Sequence, residues 1–238
     1  MRHKSERCGA KPERNRAKRN EKVNNSEESY QNQSKPLTPL TKNQKKYLNS
    51  FTNNIITFGI GEAGTGKSYC AAGYAANQLK EGKIDSIIIT RPAVEAGESF
   101  GFLPGELSEK YLPYLEPFKS ILNERLGVSY VEYLIKVGKI LPSPLSFMRG
   151  KTFNDCVVIL DEAQNTSPTQ MKMFLTRIGK NCTVIIDGDP IQKDIRGISG
   201  LEDAVDRLQN LDSVGIVRFT INDIVRSGII KDILLAYR

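Results

Sequence analysis

The chain has 238 residues, of which 39% are apolar and 26% charged, values that fit a globular domain large enough for a full α/β core. Its net charge of +7 is unevenly placed: residues 1–42 hold 11 of the 34 Lys and Arg residues against 5 of the 27 Asp and Glu, so a broad basic groove over the rest of the chain is excluded. No apolar run is long enough for a membrane span, and Met1-Arg2-His3-Lys4 leads into no apolar signal core, so the expected location is cytoplasmic with no membrane partner.

Residues 1–39 are rich in Arg, Lys, Asn, Glu, Gln and Ser, with almost nothing to bury. Such a segment cannot offset its ordering entropy, and a disordered basic tail is expected, either a solubilising arm or an arm for RNA. Residues 40–238 form the folded domain. It opens with a short helix over Thr41–Phe51, followed by a strand over Ile55–Ile60. Gly61-Glu62-Ala63-Gly64-Thr65-Gly66-Lys67-Ser68 comes next and has the form G-x-x-x-x-G-K-S. Glycines at 61, 64 and 66 let backbone N–H groups surround a phosphate, and the helix that follows, Cys70–Leu79, turns its positive end to the same anion. In this pattern Lys67 reaches the β/γ-phosphates and the Ser68 hydroxyl ligates Mg2+, so ATP and Mg2+ are the expected cofactors.

A β-branched run, Ile84–Thr90, predicts a second buried strand, and strand–helix–strand alternation predicts a parallel sheet with right-handed crossovers. Residues 93–150 exceed one crossover and predict a helical insertion, with helices over Glu106–Leu126 and Tyr130–Val137. Cys156–Glu162 reads as a third strand ending in two acids. Ser167, Pro168 and Gln170 form a capping box for a helix burying Met171, Phe174, Leu175 and Ile178, with Gly179 as its stop. A fourth strand is expected at Thr183–Asp187 and a second capping box at Ser199 and Glu202. A fifth strand follows at Val214–Thr220, then a helical stretch over Asn222–Tyr237 interrupted at Gly228. The expected fold is therefore a single RecA-like P-loop NTPase domain of the α/β class, with a mostly parallel sheet of five or slightly more strands and helices on both faces.

Phosphoryl transfer to water needs a cation across the phosphates and a group that orients the water. At the end of the third strand Asp161 fits the Mg2+ shell and Glu162 the attacking water. Gln164 and Gln192, each just past a strand end, are candidate readers of the γ-phosphate. Gln44 is the candidate for adenine, because an amide can pair with N6 and N7. Arg226, before a glycine break, is the candidate arginine finger, offered to a neighbouring subunit, with Arg149 and Arg177 as competitors. No Asn/Thr-Lys-x-Asp stretch follows to support a guanine pocket. Cys70, Cys156 and Cys182 lie in segments that read as buried, and together with Cys8 they read as reduced thiols. His3 and Cys8 lack the further ligands that zinc wants.

As a set, these motifs give a family resemblance. Residues 61–68, Arg91-Pro92 with Glu95 and Gly97, Gly101-Phe102-Leu103-Pro104-Gly105, and Phe147-Met148-Arg149-Gly150 form its first half. Asp161-Glu162-Ala163-Gln164-Asn165, residues 175–179, and Gly188-Asp189 with Gln192 and Asp194 complete it. The chain resembles the PhoH-like family of phosphate-starvation ATPases, whose core is similar to the first motor domain of superfamily 1 helicases. Ser227 stands where that family often has histidine. The resemblance implies an ATPase motor acting on RNA or single-stranded nucleic acid, and one motor module per chain implies a homo-oligomer, a ring such as a hexamer. The alternative is a slow nucleotide-gated switch or assembly module that moves no strand.

Overall fold

The computed structural model describes residues 36–92, 112–226 and 228–236. The expected tail, apart from its last four residues, lies outside that range. So do Glu95, Gly97, the motif at 101–105 and the expected helix start at Glu106.

Helix α1 (Lys42–Asn53) starts at Thr41, whose Oγ1 accepts the Gln44 N–H at 3.2 Å, and leads into β1 (Ile56–Ile60). The phosphate-loop motif passes directly into α2 (Lys67–Lys80), which leads to β2 (Ser86–Thr90). Helices α3 (Leu112–Leu126) and α4 (Val128–Lys136) and the short strand β3 (Ile140–Pro142) make up the described part of the insertion. Then come β4 (Cys156–Leu160), α5 (Pro168–Leu175), β5 (Cys182–Gly188), α6 (Gly200–Leu208), β6 (Val214–Arg218) and α7 (Gly228–Ala236).

Six strands form one sheet in the order β3-β2-β4-β5-β1-β6, every pairing parallel. The added strand, β3, contains Pro142, which sequence reasoning counts against a strand. At the sheet edge its missing N–H leaves no ladder bond unmade, so the proline is tolerated. Alternate residues leave the sheet on opposite faces. Ile87, Ile89, Val157, Ile159 and Ile185 pack against α1 to α4. Phe58, Val158, Leu160, Val184 and Ile186 pack against α5 and α6.

Strand and helix ends differ from the expectation by a few residues at several places, and the helices after β4, β5 and β6 differ for identifiable reasons. Helix α5 has the capping box of Ser167 and Gln170 but ends at Leu175, because Ile178 pairs with Phe153 in a parallel bridge instead of extending the helix. Ser199 caps α6 by accepting the Leu201 N–H, with no reciprocal bond from Glu202, and its own hydroxyl is turned to the Gln164 carbonyl at 2.9 Å. The final segment is a 3-10 turn at Ile221–Asp223, and α7 begins at Gly228 rather than being broken there. Among the described residues no helix is long and apolar enough to cross a membrane.

Candidate nucleotide site

All six strands point the same way, so the segments that leave β1, β2, β4 and β5 gather at one edge of the sheet, where a doubly wound fold binds ligands. The loop after β1 has its glycines where side chains are excluded. Gly64 and Gly66 both have φ of 83°; a Cβ on Gly66 would meet the Gln44 amide nitrogen at 2.6 Å, and one on Gly64 would press on Arg226 Cδ at 3.1 Å. Lys67, 9% exposed, lies under this loop. Its Nζ donates to the carbonyls of Gly61 (2.7 Å) and Glu62 (2.9 Å) and to Thr65 Oγ1 (3.3 Å), with the Phe219 ring 5.9 Å away. Thr65 Oγ1 in turn donates to the Glu62 carbonyl, Ala63 is exposed at the tip, and Ser68 stands half-buried in the first turn of α2.

The two acids after β4 have different partners. Asp161, buried, accepts Arg91 Nε at 2.9 Å and Arg91 Nη2 on the same oxygen, Oδ2. Glu162 sits in a left-handed conformation, φ 55°, which only imposed geometry gives a non-glycine residue. Its Oε2 accepts Gln164 Nε2 at 2.6 Å. Gln164 is fully buried, and the same Nε2 donates to the Gln192 carbonyl while Oε1 accepts the Asp189 N–H at 3.0 Å. Both amide protons are thus used within the protein, so Gln164 positions Glu162 and the 189–192 turn. Gln192 itself is exposed, its Nε2 on Asp189 Oδ2 at 3.1 Å.

Gln44 is buried against the loop: its Nε2 donates to the Thr65 carbonyl at 3.0 Å and its Oε1 accepts the Leu40 N–H at 2.7 Å. One amide proton and one lone pair are left over for a base edge. Arg226 lies over the phosphate loop of its own chain, where the Val225 N–H donates to the Gly64 carbonyl at 3.1 Å. Arg149 is exposed, and Arg177 donates to Thr176 Oγ1.

Two features were missed in the sequence. Arg91 holds Asp161, a role signalled only by a basic residue closing a buried strand. Asp187 of β5 is fully buried, receives the Tyr47 hydroxyl on Oδ1 and has no partner for Oδ2. Burial pushes its pKa up from 3.8 to about 7; Lys67 and the Tyr47 hydrogen bond work against that rise, and Asp161 and Glu162 add to it.

Ser68 and Asp161 offer hard oxygens of the kind Mg2+ takes.

The protein-family model described as PhoH-like protein matches residues 36–238. Curated relatives include the PhoH-like protein of Mycobacterium tuberculosis (strain H37Rv), 47% identical over 205 residues, and Protein PhoH of Escherichia coli (strain K12), 46% identical over 206. Each alignment covers 85% of this chain and 58% of the relative. The PhoH-like protein of Bacillus subtilis (strain 168) is 47% identical, with 85% and 64% covered. The chain therefore spans about three fifths of the length of these relatives. Among solved structures, the large terminase of the thermophilic bacteriophage D6E aligns at 10% identity and a TM-score of 0.48, covering 84% of this chain and 51% of that one.

The Asp187 carboxyl makes stability depend on pH. From about pH 4 to about pH 7 the unfolded chain has lost this proton while the folded chain keeps it, so this group's contribution to stability falls across that window and is flat above it. Asp187→Asn mimics the protonated form and still accepts from Tyr47. Urea unfolding should show the variant gaining on wild type as pH rises, by on the order of 3 kcal/mol between pH 5 and pH 8.

Arg91→Gln removes the cation that competes for Asp161. In titrations of a fluorescent ATP analogue, the Mg2+ concentration giving half-maximal binding should fall about fivefold, the equivalent of about 1 kcal/mol for a partly screened ion pair.

Proposed function

Because this chain belongs to the PhoH-like protein family, we propose that it binds ATP with Mg2+ and hydrolyses its terminal phosphate as a motor-like domain coupled to RNA or single-stranded nucleic acid. The observation that carries this reading is Glu162, in left-handed backbone directly after Asp161 with its carboxylate held by Gln164 Nε2.

In this reading the N–H groups of residues 61–68 and Lys67 take the phosphates, and Lys67 exchanges its loop carbonyls for phosphate oxygens. Ser68 and Asp161 hold the metal, with Arg91 giving up Asp161. Bound there, Mg2+ would supply charge neutralisation to the phosphates. Glu162 orients a water and accepts its proton as the water oxygen bonds to the γ-phosphorus and the bond to the β–γ bridging oxygen breaks, releasing ADP. Gln192 reads the γ-phosphate from the 189–192 turn, and Gln44 offers its remaining amide capacity to adenine. Arg226, whose side chain lies near Gly64 of its own loop, is the arginine finger, offered to the γ-phosphate of its own or a neighbouring subunit. Residues 1–39 supply the electrostatic anchor for a polymer, residues 40–238 the ATPase domain, and a homo-oligomeric ring the second surface that strand movement needs. The Arg91–Asp161 pair favours a second reading, a slow nucleotide-gated switch, since it holds the metal carboxylate in a resting state.

ATP turnover by the full chain, with and without RNA or single-stranded DNA, separates the two: a polymer-stimulated rate supports the motor, an unresponsive slow rate the switch. Lys67→Ala should lose Mg-ATP binding. Glu162→Gln should bind ATP normally and turn it over at least about 100-fold more slowly, since a general base acts only in the transition state. Normal hydrolysis by Glu162→Gln would remove Glu162 from that role.

A further inference from the structure

Strands β4 and β5 begin in the same unusual way. Asp155 and Asn181 immediately precede Cys156 and Cys182, and both hold left-handed backbone, with φ of 49° and 46°. Asp and Asn are the side chains that adopt this conformation most readily, because their short polar groups hydrogen-bond locally. Asn181 ties the two together: its Nδ2 donates to Asp155 Oδ1 at 3.1 Å and to the Lys83 carbonyl at 3.2 Å. The Asp155 N–H donates to the Lys180 carbonyl and the Cys156 N–H to the Asn181 carbonyl, at 2.9 and 3.1 Å. These bonds fix a register in which Cys156 and Cys182 are direct partners, both turned to the α5/α6 face. The Cys156 thiol donates to Cys182 Sγ at 3.8 Å.

Paired strands lie about 4.8 Å apart, within the roughly 4.4–6.8 Å that a disulfide spans between Cα atoms. Side-chain rotation alone can therefore bring the sulfurs to bonding distance. Cys156 is 1% exposed and Cys182 8%, so exchange proceeds when the starts of β4 and β5 open locally.

The geometry points to Cys156 and Cys182 as a dithiol modification site that exchanges with a small-molecule disulfide and closes into a bond stapling β4 to β5. In the first step the Cys182 thiolate attacks one sulfur of the small disulfide, forming a mixed disulfide and releasing one small thiolate. Cys156 then loses its proton to that thiolate and attacks Cys182 Sγ, expelling the second small thiol. Two protein thiols are oxidised and one small disulfide is reduced to two thiols. The order follows from the hydrogen bond: accepting from Cys156 lowers the pKa of Cys182 from its ordinary 9.0, while donation and burial push Cys156 up. The site lies at the opposite end of β4 and β5 from Asp161 and Asp189, and it stands independently of the ATPase reading.

The test treats the full chain with oxidised glutathione, unfolds it in iodoacetamide, and counts thiols and maps peptides. The pair should account for the loss of two thiols, apart from any glutathione adduct on Cys8, with a Cys156–Cys182 cross-linked peptide lighter by two hydrogens and all four thiols restored by dithiothreitol. Cys156→Ser should stop at a glutathione adduct on Cys182. If that variant does not fold, wild-type protein titrated with a trivalent arylarsenical, which bridges paired thiols, should show Cys156 and Cys182 both protected from alkylation. Four thiols surviving oxidant, a glutathione adduct on wild-type Cys182 that never resolves, oxidation confined to Cys8 or Cys70, or no arsenical protection would each overturn the proposal.

Discussion

A charge taken out of water must be met by another charge or by hydrogen bonds, and that demand shapes the C-terminal edge of this sheet. Lys67, Asp161 and Asp187 are each no more than 9% exposed. The structure meets each in a different way. Lys67 is held by carbonyls of its own loop, so the shape of the glycine loop and the position of the lysine are one feature. Asp161 is met by a guanidinium from the next strand over. Asp187 has only a phenol, and the remaining deficit appears as a carboxyl that keeps its proton up to about pH 7.

Helix α1 precedes the sheet in the chain and closes this edge. Gln44 reaches the Thr65 carbonyl in the phosphate loop, Tyr47, one turn on, reaches Asp187 at the end of β5, and Asn43 donates to Asp223 at 2.8 Å in the turn after β6. Spacing of three residues puts Gln44 and Tyr47 on one helical face; the helix lies against β1 and β6, and Tyr47 reaches past β1 to β5. Asp223 also caps Thr220, and the Val225 N–H returns to Gly64. A ring of polar contacts thus runs from the loop through α1 to the segment carrying Arg226 and back to the loop.

Most of the fold is legible in the sequence because its signals are local. The glycine loop, the β-branched runs ending at Thr90 and Leu160, and the Ser167 capping box each depend on residues close in the chain. What escaped depends on neighbours far apart in it. Arg91 and Asp161 are 70 residues apart, Tyr47 and Asp187 140, and no periodicity joins them. The early end of α5 has the same origin, since Ile178 is claimed by Phe153 across the fold. Edge strand β3 was hidden by prolines whose cost vanishes only at a sheet edge. Reading Gln164 as a phosphate reader failed to foresee burial: a side chain at 0% exposure with both amide protons engaged is a brace.

That brace bears on why two adjacent acids take different parts in the proposed hydrolysis. Asp161 continues the line of β4 and is held by the Arg91 guanidinium, the partner that a metal would have to displace. Glu162 turns out of that line through left-handed backbone and faces a neutral amide, which fixes the carboxylate by one hydrogen bond without supplying a counter-charge. The backbone reversal between Asp161 and Glu162 therefore does more than re-aim a side chain. It moves the second acid out of reach of Arg91 and into the hands of Gln164, and Gln164, by also gripping Gln192 and Asp189, ties the position of that acid to the turn after β5.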